Sequence, residues 1–166
     1  MILIKKISAI IFVSFILFVI CDYIITSFKG YRSYSKFLIS NDIAGHINKP
    51  NFKGVFGGFL DSFEAKVNIG KLGERKSKSQ NCNYSFNIIF LGDSGVAGFE
   101  VNDEETFVSQ FNLKQCKYFG INFGVRAHNT HNVIGNYNRI KSKVKHSKVI
   151  YVINENDFEE NLNKFS

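Results

Sequence analysis

A hydroxyl side chain that could act as a nucleophile, Ser94, lies in the stretch Gly92-Asp93-Ser94-Gly95. The preceding run Ile88–Leu91 is continuously apolar, which is typical of a strand buried on both faces. In parallel α/β sheets ligands bind at the carboxyl ends of the strands, where the loops converge. Ser94 is therefore a candidate nucleophile. The same residues also allow a serine that only caps the following helix.

Two further apolar runs, Lys117–Phe123 and Lys148–Ile153, also end in polar residues. Between the three predicted strands, the segments Thr106–Gln115 and Thr130–Lys145 place apolar residues at helical spacing. An order of strand, helix, strand, helix, strand predicts a parallel sheet with helical crossovers. The three polar turns should therefore meet at one edge of an α/β domain.

These three turns resemble the sequence blocks of one enzyme family. Phe90-Leu91-Gly92-Asp93-Ser94, followed by Gly98 and by Asn102–Phe107, resembles the first block of the SGNH, or GDSL, hydrolases. Asn122-Phe123-Gly124-Val125 and Asn154-Glu155-Asn156-Asp157 resemble the second and third blocks. The resemblance implies a partial flavodoxin-like, SGNH-type three-layer parallel sheet. It also implies serine esterase or acyl-ester hydrolase activity on an acylated glycan or a similar small ester, with no cofactor and no metal.

The resemblance also assigns roles to single residues. Ser94 is the nucleophile and its backbone N–H is one oxyanion donor, the backbone N–H of Gly124 is a second, and the side-chain amide of Asn156 is the third. Asp93 and Asp157 are supporting residues. Acyl transfer builds negative charge on the former carbonyl oxygen, and one fixed donor aimed at that oxygen is worth roughly two to three orders of magnitude in rate.

The chain departs from the family pattern at three places. Asn154 replaces a glycine of the third block, and Arg126-Ala127-His128 stands where a small glycine-rich turn is usual. The family's general base lies in an Asp-x-x-His block, and no such spacing follows Asp157. Because a serine without a base is a poor nucleophile, a second hypothesis is an inactive, truncated or degenerate SGNH-like membrane protein. His128 or His131 could stand in as the base, since both follow the second strand.

Two binding functions rank below these hypotheses. A flavodoxin-like module could bind a phosphate at the same strand ends, but Gly92–Gly98 lacks the lysine and the glycine spacing of a phosphate loop. His128 and His131 have no cysteine or carboxylate nearby to complete a metal site.

The first residues of the chain, Met1–Phe28, predict a membrane anchor. Lys5 and Lys6 precede an apolar run from Ile7 to Cys21, and a second short run follows Asp22. Small residues that would mark a cleavage site are missing, so we expect an uncleaved signal anchor with a single span. Because the only charges before the span are positive, the domain should lie outside the cytoplasm, periplasmic or extracellular. The alternative is a buried N-terminal helix of a soluble protein.

Between the anchor (residues 1–28) and the α/β domain (residues 86–166) lies a lead-in, residues 29–85. Its first part, Lys29–Lys49, carries no motif and fits a juxtamembrane helix or stalk. Lys53–Phe59 and Ser62–Ile69 predict a hairpin or a pair of short strands. The segment from Asn68 to Arg75 resembles the Asn-x-x-Gly-x-Arg lead-in of membrane-anchored bacterial SGNH-like proteins.

The charged residues say less about function than the motifs do. The net charge of +7 could suit a nucleic acid or an anionic surface, but the lysines are scattered, so we expect a solvated face and no nucleic-acid partner. Asp103-Glu104-Glu105 is interpreted as the first turn of a helix.

Cys82 and Cys116 each precede a predicted strand, and either a disulfide or two free thiols fits this placement.

Overall fold

The structure is a computed structural model that describes residues 2–28, 37–57, 63–155 and 157. It combines one N-terminal apolar helix with a mixed α/β region that contains a three-stranded parallel sheet. The helices are α1 (Ile2–Phe28), α2 (Ser94–Ala97), α3 (Phe107–Lys114) and α4 (Thr130–Ile140), with a 3-10 turn at Asp103–Glu105. The strands are β1 (Leu38–Asn41), β2 (Gly45–Asn48), β3 (Lys53–Gly57), β4 (Glu64–Asn68), β5 (Phe86–Leu91), β6 (Tyr118–Asn122) and β7 (Lys148–Tyr151).

The parallel sheet has the strand order β6-β5-β7, so the strand that precedes Ser94 is central. Alternate side chains of β5 face opposite layers. Ile88 and Phe90 pack in a cluster with Val108 of α3, whereas Ile89 and Leu91 pack in a cluster with residues of α4. The sheet therefore has a helix on each face, and the predicted α/β class with three parallel strands is confirmed.

The second crossover helix is shorter than its periodicity predicts. Asn129 caps α4, because its Oδ1 accepts from Asn132 N at 3.1 Å. The helix ends at Ile140, whose carbonyl accepts from both Lys143 N (2.8 Å) and Val144 N (3.1 Å). The backbone thus closes into a turn, and the extension of the helix to residue 145 is wrong. Val144 keeps its apolar contact from this turn.

The lead-in contains two antiparallel strand pairs. β3 pairs with β4, which confirms the predicted hairpin, although its tip lies outside the described residues. β1 pairs with β2, so the juxtamembrane helix or stalk is wrong for residues 38–48. Asn41 Oδ1 accepts from Ile43 N (3.2 Å) and Ala44 N (3.0 Å), and Gly45 has φ +72°. This turn chemistry specifies the hairpin.

The lead-in packs directly on the α/β region. Its core cluster is centred on Phe37, Phe56 and Val67. The ring of Phe56 lies 4.1 Å from that of Phe37 and 5.1 Å from that of Phe99, which belongs to the loop after α2. Further along the chain, a disulfide bond joins Cys82 to Cys116, with the Cα atoms 5.5 Å apart. It links the segments that precede β5 and β6.

The helix α1 is long and apolar enough to cross a membrane. The stretch Lys6–Ile25 contains 20 residues, and no other described part of the chain buries it. By length and composition it meets the requirement for a transmembrane helix.

Candidate functional site

Ser94 is the first residue of α2, directly after the turn that ends the central strand. The residue that caps this helix is Asp93, whose Oδ1 accepts from Gly95 N at 2.9 Å. The alternative in which Ser94 only caps the helix is therefore wrong. Ser94 is half-buried, and its Oγ makes no hydrogen bond with a described residue.

The loop after β6 packs tightly on α2. The buried Asn122 donates from Nδ2 to Val96 O at 2.7 Å, and its Oδ1 accepts from Gly124 N at 2.9 Å. A Cβ atom at Gly124 would lie 2.6 Å from Val96 C, so this close approach requires glycine. The structure therefore brings Gly124 against the Ser94 helix. Its N–H already has a partner, and it would have to share that bond to serve as an oxyanion donor.

The loop after β7 is joined to the Ser94 turn by a side-chain hydrogen bond. Asn154 donates from Nδ2 to Asp93 Oδ1. Asp157 is 1% exposed, and its Oδ2 accepts from Asn154 N at 2.9 Å. Asn154 thus connects the loop after β7 to the Ser94 turn. Asn156 lies outside the described residues.

Tyr151 lies beside these loops, and the charges of Asp93 and Asp157 affect its pKa. Tyr151 ends β7, and its OH lies 3.0 Å from Thr130 Oγ1 at the start of α4. Burial raises the pKa of Tyr151, and the negative charges of Asp157 and Asp93 raise it further. Asp93 and Asp157 therefore both lie close enough to Tyr151, at the carboxyl edge of the sheet, to raise its pKa.

A cleft of about 420 Å³ opens beside Ser94. Its walls come from α2, the following loop and the start of α3: Ser94, Gly95, Gly98, Phe99, Glu100, Val101, Thr106 and Phe107. Gly98 has φ +67°, and a Cβ there would lie 2.6 Å from Thr106 Cγ2. The guanidinium carbon of Arg126 lies 4.6 Å from the centroid of the Phe99 ring. The cleft is large enough for a small ester, and two aromatic residues, Phe99 and Phe107, line it.

Arg75 stabilises the loop that forms one wall of this cleft, a role that the sequence did not predict. It is 3% exposed, and its Nε donates to Asp103 Oδ1 at 2.9 Å. Its Nη1 donates to the carbonyls of Ala97 (2.7 Å) and Gly98, and its Nη2 donates to Val101 O at 2.6 Å. Burial lowers the pKa of Arg75, and Asp103 opposes that shift. The only available signal was the resemblance of the segment that ends at Arg75.

Asp103 has a larger role than the first turn of a helix. Besides Arg75, its carboxylate accepts from Asn68 N at 3.0 Å and from Asn68 Nδ2 at 2.6 Å. It thereby ties the 3-10 turn to β4. The interpretation of Asp103 as only a residue of a helix's first turn is therefore incomplete.

His128 does not hydrogen-bond Ser94 in this structure. It is 0% exposed, and its Nε2–H donates to His46 O at 2.8 Å, with the two rings 4.8 Å apart. Its Nδ1 is buried without a partner among the described residues. Burial, with smaller contributions from the charges of His46 and Arg139, lowers the pKa of His128 to about 4, and the hydrogen bond to His46 O opposes this shift. His128 therefore anchors the β1–β2 hairpin as a neutral side chain.

No base or metal site accompanies Ser94 in the part of the chain that the structure describes. His131 is exposed in the first turn of α4. Within residues 2–28, 37–57, 63–155 and 157, no His, Asp or Glu side chain hydrogen-bonds Ser94 Oγ. Among the same residues, no group of three or more His, Cys, Asp or Glu side chains could hold a metal ion.

Comparison with known proteins adds no assignment: no protein-family model matches the chain, and no curated protein matches it.

Proposed function

We propose that this chain is a membrane-anchored serine esterase or acyl-ester hydrolase of the SGNH type, with a flavodoxin-like domain that acts on an acylated glycan or a similar ester. The observation that best supports this proposal is the hydrogen bond from Asn154 to Asp93. It joins the loop of the third block to the residue before the nucleophile. A second supporting observation is the close packing on α2 of Gly124, which lies in the segment that resembles the second block.

In the proposed reaction Ser94 Oγ attacks the ester carbonyl, and the alcohol leaves from the tetrahedral intermediate. The backbone N–H of Ser94, the N–H of Gly124 and the amide of Asn156 would stabilise the oxyanion. The ester would lie in the cleft between Ser94 and Phe107, where Phe99 offers an apolar surface. A base must accept the proton of Ser94 Oγ during the attack and deliver it to the leaving alcohol. Water then attacks the acyl-serine ester, which releases the carboxylic acid and returns the proton to Ser94 Oγ.

The alternative is a non-catalytic SGNH-like membrane protein. One observation favours it: among the described residues, no His, Asp or Glu side chain hydrogen-bonds Ser94 Oγ. Such a protein would keep the cleft as a binding surface without turnover.

In both proposals α1 anchors the protein with a single span. Lys5 and Lys6 precede the apolar run, so the positive-inside rule favours a domain outside the cytoplasm. The disulfide between Cys82 and Cys116 is consistent with an oxidising compartment.

The test is to treat the full chain, purified in a mild detergent, with a fluorescent serine-reactive phosphonate and with a chromogenic acetate ester. We expect labelling and turnover in the native chain, and both should fall at least about 100-fold in Ser94→Ala. Ser142→Ala is the matched control, because Ser142 is an exposed serine in the turn after α4. A native chain that is neither labelled nor active would favour the non-catalytic alternative.

A further inference from the structure

The net charge of the chain comes from one segment. Residues 106–154 contain eight Lys and Arg residues and no Asp or Glu, whereas the rest of the chain contains thirteen basic and fourteen acidic residues. Five of the eight are exposed lysines in the loops that precede β6 and β7 or at the first residue of β7: Lys117, Lys141, Lys143, Lys145 and Lys148. Because these are the starts of parallel strands, the lysines gather at the amino edge of the sheet, opposite the Ser94 turn.

Aromatic rings lie among these lysines. The Nζ atoms of Lys117 and Lys148 lie 5.3 and 5.6 Å from the centroid of the Tyr118 ring. The ring of Phe86 lies 5.8 Å from that of Tyr118 and is 46% exposed. Ammonium groups and exposed aromatic rings are the side chains that bind the headgroup region of a bilayer. We call Phe86, Lys117, Tyr118, Lys145 and Lys148 the basic edge.

The opposite edge of the sheet is mainly acidic, and Arg126, in the loop after β6, is an exposed basic residue there. Glu100, Glu104 and Glu105 are exposed in the segment between α2 and α3, and Glu155 is exposed after β7. An anionic surface would therefore attract one end of the sheet and repel the other. Near such a surface each lysine strengthens binding by roughly fivefold.

We propose that the basic edge rests on the anionic phospholipid headgroups of the membrane that holds α1. This inference depends on the proposed span of α1 and not on esterase activity. The basic edge and the Ser94 turn lie at opposite ends of the six-residue strand β5. The Ser94 cleft then faces away from the membrane.

The chain contains no tryptophan, so a single introduced Trp reports its own surroundings. Phe86→Trp places the reporter at the basic edge, and Phe107→Trp places a matched reporter, at a 41% exposed phenylalanine, in the cleft at the other edge. The full chain is reconstituted into nanodiscs of brominated phosphatidylcholine, with and without phosphatidylglycerol. Bromine quenches Trp fluorescence on contact. We expect quenching of the reporter at residue 86 only when phosphatidylglycerol is present, and little quenching of the reporter at residue 107.

Charge variants then test the cause. Replacing Lys117, Lys145 and Lys148 by Gln should weaken the contact about 100-fold and return the quenching to its level in phosphatidylcholine. The matched control replaces Lys53, Lys66 and Lys71, three exposed lysines of the lead-in, and should leave the quenching unchanged. Salt at about 0.5 M should also abolish the contact, because it shortens the Debye length to about 4 Å.

Three results would overturn the proposal: stronger quenching at residue 107 than at residue 86, equal quenching at residue 86 in the two lipids, or equal effects of the two lysine triples. Hydrogen exchange of the unmodified chain gives a second measurement that needs no substitution. Phosphatidylglycerol should slow exchange in residues 143–148 and not in residues 103–107. Loss of esterase activity would not affect either result, so the two proposals fail independently.

Discussion

Acidification should destabilise the protein through His128. Its pKa in the folded chain is about 4, below the ordinary histidine value of 6.5 that we take for the unfolded chain, because the side chain is buried. A group with a depressed folded pKa favours the folded state above its unfolded pKa, where it is neutral in both states. That contribution is lost as the pH falls from 6.5 toward 4.

The size of the effect follows from the two pKa values. Each pKa unit corresponds to 1.36 kcal/mol, so the full loss is about 3.4 kcal/mol, and about 2 kcal/mol is already lost near pH 5. The structural reason is that a proton must go to Nδ1, which is buried without a partner among the described residues. Nearby positive charges on His46 and Arg139 add to the cost. About 2 kcal/mol changes the folding equilibrium roughly 30-fold.

The assay is urea unfolding of the full chain in detergent at a series of pH values, followed by near-ultraviolet circular dichroism. His128→Gln keeps a donor for His46 O but cannot titrate, so it should lose about 2 kcal/mol less than the native chain between about pH 7 and pH 5. His131→Gln is the matched control, because His131 is exposed in the same region, and it should follow the native chain. Hydrogen exchange should show the β1–β2 hairpin opening first, because His128 bonds to it. The reasoning would be refuted if His128→Gln and the native chain lost the same free energy.

Three other changes test the contacts that shape the site. Arg75→Lys loses the forked contacts to Asp103 and to the loop carbonyls, and should lower the free energy of urea unfolding by about 2–4 kcal/mol; a loss below about 0.5 kcal/mol would show that the pair contributes little. Gly124→Ala puts a methyl group against the backbone of α2, and should cost about 1–3 kcal/mol and reduce phosphonate labelling, whereas unchanged stability would mean that the loop is not packed as described. Joint replacement of Cys82 and Cys116 by Ser opens a link across 34 residues and should lower stability by about 3–4 kcal/mol; equal unfolding curves with and without reductant would contradict this.

The sequence predicted the parallel sheet well, because its signals are local. All four residues of Ile88–Leu91 are apolar, as expected for a strand that is covered on both faces, and this strand is the middle one of the sheet. The hairpin β3–β4 was also predicted from alternation. In contrast, β1–β2 was missed because its strands are short and polar and its turn depends on one Asn side chain. The end of α4 was misplaced because Val144 keeps helical spacing while it packs from a turn.

The contacts that hold the candidate site were harder to predict, because they join distant parts of the chain. Arg75 and Asp103 are 28 residues apart, and only the folded lead-in brings them together. His128 follows the second strand, as a substitute base would, yet its ring contacts a hairpin 82 residues earlier in the sequence. In the sequence, Asn154 is only a departure from a motif. Its partner Asp93 could not be predicted, because the two residues lie in loops that only the fold brings together.

The bonds of Arg75 to Ala97, Gly98 and Val101 have a practical consequence for anyone who trims this protein for expression. A fragment that begins at Phe86, the first residue of the central strand, would lose the guanidinium that these carbonyls need and would leave Phe99 without the ring of Phe56. A fragment that begins at Phe37 retains both. An expressed fragment of the α/β region therefore needs the part of the lead-in that contains Phe56 and Arg75, upstream of the sheet.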